Sequence, residues 1–361
     1  MRSDNPEAAR VLVAMSGGVD SSVAAKLLME RGFDCIGCTM RLYDNGDAGI
    51  PHGRTCCSLE DVEDARGVAY QLGMPYYVFN FTDCFREKVI GNFVRSYEAG
   101  RTPNPCIDCN RYLKFDKLFA RARALGCAYI ATGHYARIGC EGGRYVLRKA
   151  ADESKDQSYV LYDVTQEKLA HLLFPLGELQ KPEVRALAAQ AGFRNARKRD
   201  SQDICFVPDG DYARAIERFT GKTSERGSFV TRDGRVLGTH CGVIHYTIGQ
   251  RRGLGLSLPE PMYVCEIDAG RNTVVLGSAQ ELLRREAHAE AVCWISGAAP
   301  EEALRCRVKI RYRQKEQPAT VVPTGADTAN LQFDEPQRAV TPGQSAVFYD
   351  GETVLGGGIL R

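Results

Sequence analysis

No apolar run in this 361-residue sequence approaches the ~20 residues a membrane-spanning helix needs, which excludes a helical membrane protein. Residues 1–10 are polar and carry two acids, so neither a secretory signal nor a typical transit peptide is read there. A cytoplasmic location with no membrane partner is expected. Charge of one sign is also lacking: 47 basic against 45 acidic residues leave a net +2, a total that selects no partner by itself. There is no internal repeat and no low-complexity tract. What is present, 44% hydrophobic and 25% charged residues, is the make-up of a globular chain, long enough for two or three domains of ~100–200 residues. With no export signal, the 14 cysteines are expected to be mostly reduced thiols. Cys35, Cys38, Cys127, Cys265 and Cys293 lie in apolar strand-like runs and read as small buried hydrophobes.

The most informative stretch runs from Val11 through Ala14, Met15, Ser16, Gly17, Gly18, Val19, Asp20 and Ser21 to Ser22, followed by an apolar, helix-forming run to Glu30. An apolar run, a Ser-Gly-Gly loop and a helix-compatible stretch predict strand, tight turn and helix N-terminus. Two glycines let the backbone bring its N–H groups close to a phosphate, and the positive end of the helix attracts it. Asp20 and Ser21 fall in the first turn, where a carboxylate can hold a metal ion and a hydroxyl can donate to phosphate. The same residues also serve as ordinary helix caps. The loop lacks the Gly-Lys-Ser/Thr ending of kinase-type phosphate loops and the Gly-x-Gly-x-x-Gly spacing of dinucleotide folds. Its full string resembles the pyrophosphate loop of enzymes that adenylate a substrate by splitting ATP between its α- and β-phosphates.

Further strands are predicted at Asp34 to Met40, Pro75 to Phe79 and Ala128 to Thr132, alternating with helices from Ser58 to Gly73, Asp83 to Ala99 and Arg111 to Leu125. Such alternation implies a parallel sheet covered on both faces, with ligands at the carboxyl ends of its strands. The Ser16–Ser21 loop, Met40 and Gly133-His134 all fall at such ends. Gly142-Gly143 before Tyr145 to Lys149 predicts a hairpin. Gln157 to Gly192 reads as helical, with Pro182 near a helix start. Beyond Gly221, short alternating segments punctuated by glycine have the texture of small β-barrels or sandwiches, with a join near Leu282 to Glu290.

Cys106 and Cys109 form a C-x-x-C in polar company, read here as lying between two helices, and more often redox-active or metal-binding than structural in a reduced protein. Cys109 near a helix N-terminus is biased towards thiolate. Cys205 sits in a polar loop after the basic run Arg194, Arg197, Lys198, Arg199. With an ATP-activating loop and Cys109, it fits a sulfur relay. Arg305, Arg307, Lys309, Arg311, Arg313 and Lys315 alternate with apolar residues, which on a strand places six cations on one face. Like charges so close repel unless a polyanion or neighbouring acids neutralise them, and a phosphate backbone is the natural partner. Arg251-Arg252 could extend the patch.

Taken together, these stretches resemble the tRNA-specific 2-thiouridylase family over nearly the whole chain. The resemblance rests on Ser16 to Ser21, Thr102-Pro103-Asn104-Pro105 leading to Cys109-Asn110, Ala131 to Tyr135, Lys155 to Ser158, Ser201 to Phe206 and Gly249 to Gly253. It implies an α/β chain: a parallel-sheet ATP-pyrophosphatase (adenine nucleotide alpha hydrolase-like) domain over 1–208, a central β-rich domain over 209–280, and a C-terminal, tRNA-binding β-barrel over 281–361. It further implies 2-thiolation of the wobble uridine of tRNA, with ATP and Mg2+ as cofactors. ATP would contact Ala14 to Ser21, Met40 and Gly133. The tRNA would contact Asn104, Pro105, Cys106, His134, Lys155, Asp156, Gln157, Arg311, Tyr312 and Gln344. Cys205 would carry a persulfide and Cys109 would assist, with sulfur supplied by a persulfide-carrier protein fed by a cysteine desulfurase. One departure is Cys106, where many family members have Asp. Cys106, Cys109 and Cys205 could instead ligate a [4Fe–4S] cluster, an alternative route to the same product. Two other readings stay open: a different adenylating ATP pyrophosphatase, such as an amidotransferase or ligase, and a non-catalytic RNA-binding protein.

Overall fold

The computed structural model describes residues 9–43, 59–200 and 204–361. Ser58, expected to open a helix, and Ser201 to Asp203 lie outside the described residues. The chain divides into two compact units. The first is built from the described residues of Met1–Val89, Cys106–Pro208 and Glu352–Val354; the second from Ile90–Pro105, Asp209–Gly351 and Leu355–Arg361.

In the first unit Val11, Leu12 and Val13 are wholly buried, as a continuous apolar run in a doubly covered parallel strand must be. Strand Arg10–Ala14 is the middle of a five-stranded parallel sheet ordered Tyr76–Asn80, Asp34–Arg41, Arg10–Ala14, Tyr129–Ala131, Leu172–Leu173. Its register is fixed by Val11 opposite Cys35 on one side and Tyr129 on the other. Helices Val19–Glu30, Leu59–Gln71 and Lys181–Gln190 contribute Val23, Leu28, Ala65, Val68, Val184 and Ala188 to one continuous core with Val11 and Val13.

Two expectations are corrected here. The stretch read as helical from Gln157 onward is a 3-10 turn at Ser158–Leu161, a short helix at Gln166–Leu169, the edge strand Leu172–Leu173 and only then helix Lys181–Gln190. A two-residue strand is too short to show any periodicity. The C-x-x-C segment, read as lying between helices, is helical itself. Helix Pro105–Asp108 runs into a π-helical stretch Cys109–Lys117 and then helix Leu118–Ala124. Pro105 suits a first helical position because its missing N–H would have no partner there. The expected hairpin forms from Arg137–Glu141 and Arg144–Arg148, turning on Gly142 and Gly143, both at positive φ. Thr353 and Val354 pair with its second strand.

The second unit contains a four-stranded sheet ordered Tyr263–Asp268, Thr273–Gly277, Gly227–Val230, Val236–His240, packed around Phe229, Tyr246, Val264 and Val274. It also contains a six-stranded barrel ordered Leu283–Trp294, Ala329–Arg338, Gln317–Pro323, Leu304–Lys309, Ser345–Asp350, Thr353–Leu360. The barrel is closed by pairing between its first and last strands, such as Ala289 with Leu360, and filled by Trp294, Val308, Phe333 and Phe348. Among the described residues no helix is long and apolar enough to cross a membrane.

Candidate active site

Strand order reverses at Arg10–Ala14, with two strands added on one side and two on the other, and the crevice at such a reversal is where open parallel sheets bind ligands. The loop leaving this strand is the glycine loop. Gly17 has φ +73°, and a Cβ there would lie 2.3 Å from the Asp61 carbonyl oxygen, so no other residue fits. Gly18 is the N-cap of helix Val19–Glu30, and the hydroxyls of Ser21 and Ser22 both donate to its carbonyl, at 3.1 and 3.0 Å. Ser16 N–H donates to Ser21 Oγ at 3.2 Å, drawing the loop over the helix start. Gly133, just beyond strand Tyr129–Ala131, is pressed against the same turn: a Cβ would stand 2.9 Å from Ser21 N and 3.0 Å from the Asp20 carbonyl carbon. Two expected nucleotide-site segments are thus brought together. Met40 is half-buried near the carboxyl end of the neighbouring strand.

Several residues that sequence reading missed brace this loop. Asn195, buried, donates from Nδ2 to the Gly17 carbonyl at 2.9 Å and to Ser22 Oγ at 3.0 Å, while its Oδ1 has no partner among the described residues. Lys181, also buried, places Nζ 2.6 and 2.8 Å from the two Asp20 oxygens and 2.9 Å from Asp200 Oδ1. Tyr135 donates its hydroxyl to Asp20 Oδ1 at 2.9 Å. Asp200 also receives Lys155 at 2.8 Å and Arg185 at 2.7 Å. One signal was available: Lys181 opens a helix, the end where a cation is disfavoured by the helix dipole.

Of the thiols, Cys106 is exposed and Cys109 and Cys205 are half-buried. The helix carrying Cys109 is anchored one residue on, where buried Asn110 donates to the Val160 carbonyl at 2.8 Å, and two on, where Arg111 reaches Asp163 at 2.5 Å. The Cys205 carbonyl accepts from the Tyr43 hydroxyl at 3.0 Å. Phe206 packs edge-on against Phe85, whose ring also meets Tyr43, so an aromatic trio fixes this segment. Cys35, Cys38 and Cys127 are buried as expected, and burial pushes the Cys35 thiol up to about 12. Cys265 and Cys293 are only half-buried. Among the described residues no three His, Cys, Asp or Glu side chains converge as a metal set, so Cys106, Cys109 and Cys205 are not assembled as cluster ligands here.

The residues expected to meet tRNA are engaged in varied ways. Asn104 is half-buried and Pro105 buried. Asp156 accepts from Ala150 N–H and from Ser158 N–H and hydroxyl. Gln157 accepts from Tyr135 N–H at 3.0 Å. His134 is buried, with Nδ1 2.7 Å from Thr132 Oγ1 and Nε2 3.3 Å from Lys114 Nζ. Burial, then the Lys114 ammonium, pushes its imidazole well below the ordinary 6.5, so it is neutral at pH 7. Tyr312 is exposed, with Lys309 Nζ 5.6 Å from its ring centre, and Gln344 donates to the Thr102 carbonyl at 2.9 Å.

The six-cation strand face is corrected. The strand ends at Lys309 and the chain then turns. Arg305 forks onto Asp334, two strands away in the barrel on Ala329–Arg338, and Arg307 bonds the Glu316 carbonyl at 3.0 Å. Arg311 turns inward, where its Nη2 donates to Ile248 O, Ala339 O and Thr341 Oγ1 at 2.7–3.2 Å. Acids on neighbouring segments thus neutralise part of the run, and the alternation in sequence outlasts the strand.

With this geometry in place, comparison with known proteins is informative along the whole chain. Family profiles match residues 9–209 as a tRNA methyl transferase HUP domain, 216–278 as a tRNA methyl transferase PRC-barrel domain and 284–360 as an aminomethyltransferase beta-barrel domain. The tRNA-specific 2-thiouridylase MnmA of Clostridioides difficile (strain 630) is 50% identical over 354 residues, 98% of either chain. That of Acetivibrio thermocellus is 51% identical over 356 residues, 98% of this chain and 99% of its own. An N-terminal nucleotide-type sheet, a central β unit, a closing barrel and half-identity from end to end place this chain in the tRNA-specific 2-thiouridylase family.

Proposed function

We propose that the protein is a tRNA-uridine 2-sulfurtransferase that adenylates the C2 oxygen of the wobble uridine with ATP and then replaces it with sulfur. The observation that carries the reading is the packing of Gly133 onto Asp20 and Ser21, which brings two strand ends together against a helix N-terminus at the sheet's reversal point, the kind of place where polyphosphate binds. The catalytic part is assigned to residues 1–208, a central β-rich part to 209–280 and tRNA binding to the barrel over 281–361. Ala14, Met15, Ser16, Gly17, Gly18, Val19, Asp20 and Ser21, with Met40 and Gly133, form the nucleotide site. Asn104, Pro105, Cys106, His134, Lys155, Asp156, Gln157, Arg311, Tyr312 and Gln344 form the tRNA contacts. Mg2+ bound with the phosphates would draw on the Asp20 carboxylate and offset phosphate charge.

The chemistry follows from a poor leaving group. The uridine C2 oxygen forms a bond to the α-phosphorus as the bond from that phosphorus to the bridging oxygen breaks, and the electron pair leaves with pyrophosphate. The terminal sulfur of a Cys205 persulfide then attacks C2. The Cys109 thiolate attacks Cys205 Sγ, so the S–S bond to the transferred sulfur breaks and a Cys109–Cys205 disulfide forms; AMP departs and the thiocarbonyl remains. A thiol reductant reopens the disulfide, and a persulfide-carrier protein fed by a cysteine desulfurase reloads Cys205. The target base must leave its stack to be reached.

Mass analysis of tRNA nucleosides after incubation with ATP, Mg2+ and the persulfide carrier tests this. 2-Thiouridine is expected with the native chain and none with Cys109→Ser or Cys205→Ser; its absence with the native chain overturns the reading.

A further inference from the structure

We infer that Lys181 is a catalytic residue of the adenylation step, an ammonium stored at the mouth of the glycine loop that binds the β- and γ-phosphates of ATP and stabilises them as the leaving pyrophosphate. The inference rests on the ATP-dependent reading above and adds to it a residue outside every motif that carries that reading.

Lys181 has 7% of its surface exposed, yet its Nζ lies 2.6 and 2.8 Å from both oxygens of Asp20, in the first turn behind the glycine loop. Burying an ion pair is often no more stabilising than packing apolar side chains in its place, so its position calls for a reason beyond stability. Three further contacts hold this residue there. Its backbone N–H donates to Asp152 Oδ2 at 2.9 Å, Nζ is 2.9 Å from Asp200 Oδ1, and the Tyr135 ring centre is 5.6 Å away.

The partners do not need Lys181 to be satisfied. Asp200 already receives Lys155 and Arg185. Against the cost of burial, hydrogen bonds from Lys155 and Lys181 hold its carboxyl below the ordinary range. Asp20 keeps the Tyr135 hydroxyl when Lys181 moves, because burial and the Asp20 charge raise that phenol and leave it a donor. Asp152, the remaining carboxylate, is turned onto Ser154 N–H, Ser154 hydroxyl and Lys181 N–H. The Lys181 ammonium is therefore a charge that can leave Asp20 with Tyr135 still on Oδ1 and Oδ2 of this half-buried carboxylate released to solvent or to the Mg2+ of the incoming nucleotide, on a flexible four-carbon stem whose backbone is pinned at a helix start. An empty loop whose own acid is cancelled does not repel an incoming polyphosphate. Once the polyphosphate is bound, the same cation meets the charge that grows on pyrophosphate as its bond to the α-phosphorus breaks. No proton changes hands in this step, because the ammonium acts by charge and hydrogen bonding.

The test compares ATP with AMP on the full chain, by calorimetry or by displacement of a fluorescent nucleotide. With Lys181→Met, ATP affinity is expected to fall about tenfold or more, the scale of one lost charged hydrogen bond, while AMP affinity changes less than about twofold. Lys181→Arg is expected to recover most of the ATP preference, and tRNA-dependent pyrophosphate release should fall in kcat as well as rise in KM with Lys181→Met. Equal losses for ATP and AMP would assign Lys181 a purely structural role and overturn the inference, as would unchanged ATP binding. If Lys181→Met does not fold, Lys181→Gln carries the same expectation and the same two overturning outcomes. A native chain that binds no ATP would instead remove the underlying functional reading, so the two failures are told apart.

Discussion

Gly17 combines a left-handed backbone, φ +73°, with a neighbouring carbonyl 2.3 Å from where a Cβ would stand. Gly17→Ala should therefore cost at least ~2 kcal/mol in strain alone, seen as a lower denaturant midpoint, and abolish ATP binding. His134 sets a pH dependence of known sign. Burial and Lys114 depress its pKa in the fold, so below about pH 6.5 the unfolded chain binds a proton that the folded chain refuses. This contribution to stability is fully present above that pH and is lost as pH falls. Denaturant midpoints measured at about pH 5 and pH 7.5 should differ more for the native chain than for His134→Gln. Neither the neutrality of His134 nor the Lys181–Asp20 contact was legible in the sequence. Lys181 and Asp20 lie 161 residues apart in the chain, and no local pattern brings such residues together. The glycine loop was legible because strand, turn and helix N-terminus follow one another without a break.

At the scale of elements, the Cys109 helix depends on Asn110, whose buried amide donates across to the Val160 carbonyl. Asn110→Ala should destabilise the protein by roughly 1–3 kcal/mol by stranding that carbonyl, with thiolation falling more than ATP binding. Arg311 has an internal role beside the tRNA contact proposed for it. Arg311→Ala removes three internal acceptor contacts and should lower thermal stability, whereas Arg313→Ala and Lys315→Ala, both exposed, should leave stability unchanged. Each of those two should instead flatten the salt dependence of tRNA binding by about one unit of slope if it meets a phosphate. The buried strands were readable from their continuous apolar runs. Strand Leu172–Leu173 was not, being shorter than any period, and the helix start at Pro105 was hidden because its apolar repeat is weak until Leu113.

At the scale of the whole molecule, the expected order of a parallel α/β sheet, a small β unit and a barrel is what the chain forms. What composition could not convey is the division of labour in strand Thr353–Leu360. Its first two residues pair with the hairpin strand Arg144–Arg148 of the first unit, and from Leu355 onward it belongs to the second. There it closes the barrel against Leu283–Trp294, while Leu360 exchanges backbone hydrogen bonds with Gly343 and Gln344. Removing residues 353–361 should lower the melting temperature by about 10 °C or more and broaden the transition, as calorimetry would show. That strand follows every other strand of the barrel in the chain. During synthesis at ~5–20 residues per second, the ribosome therefore releases a hairpin with an unpaired edge and an open barrel, and both are completed in one late event. Until that strand has emerged the nascent chain presents two sticky sheet edges, which makes this interval the period when chaperones matter most to this protein.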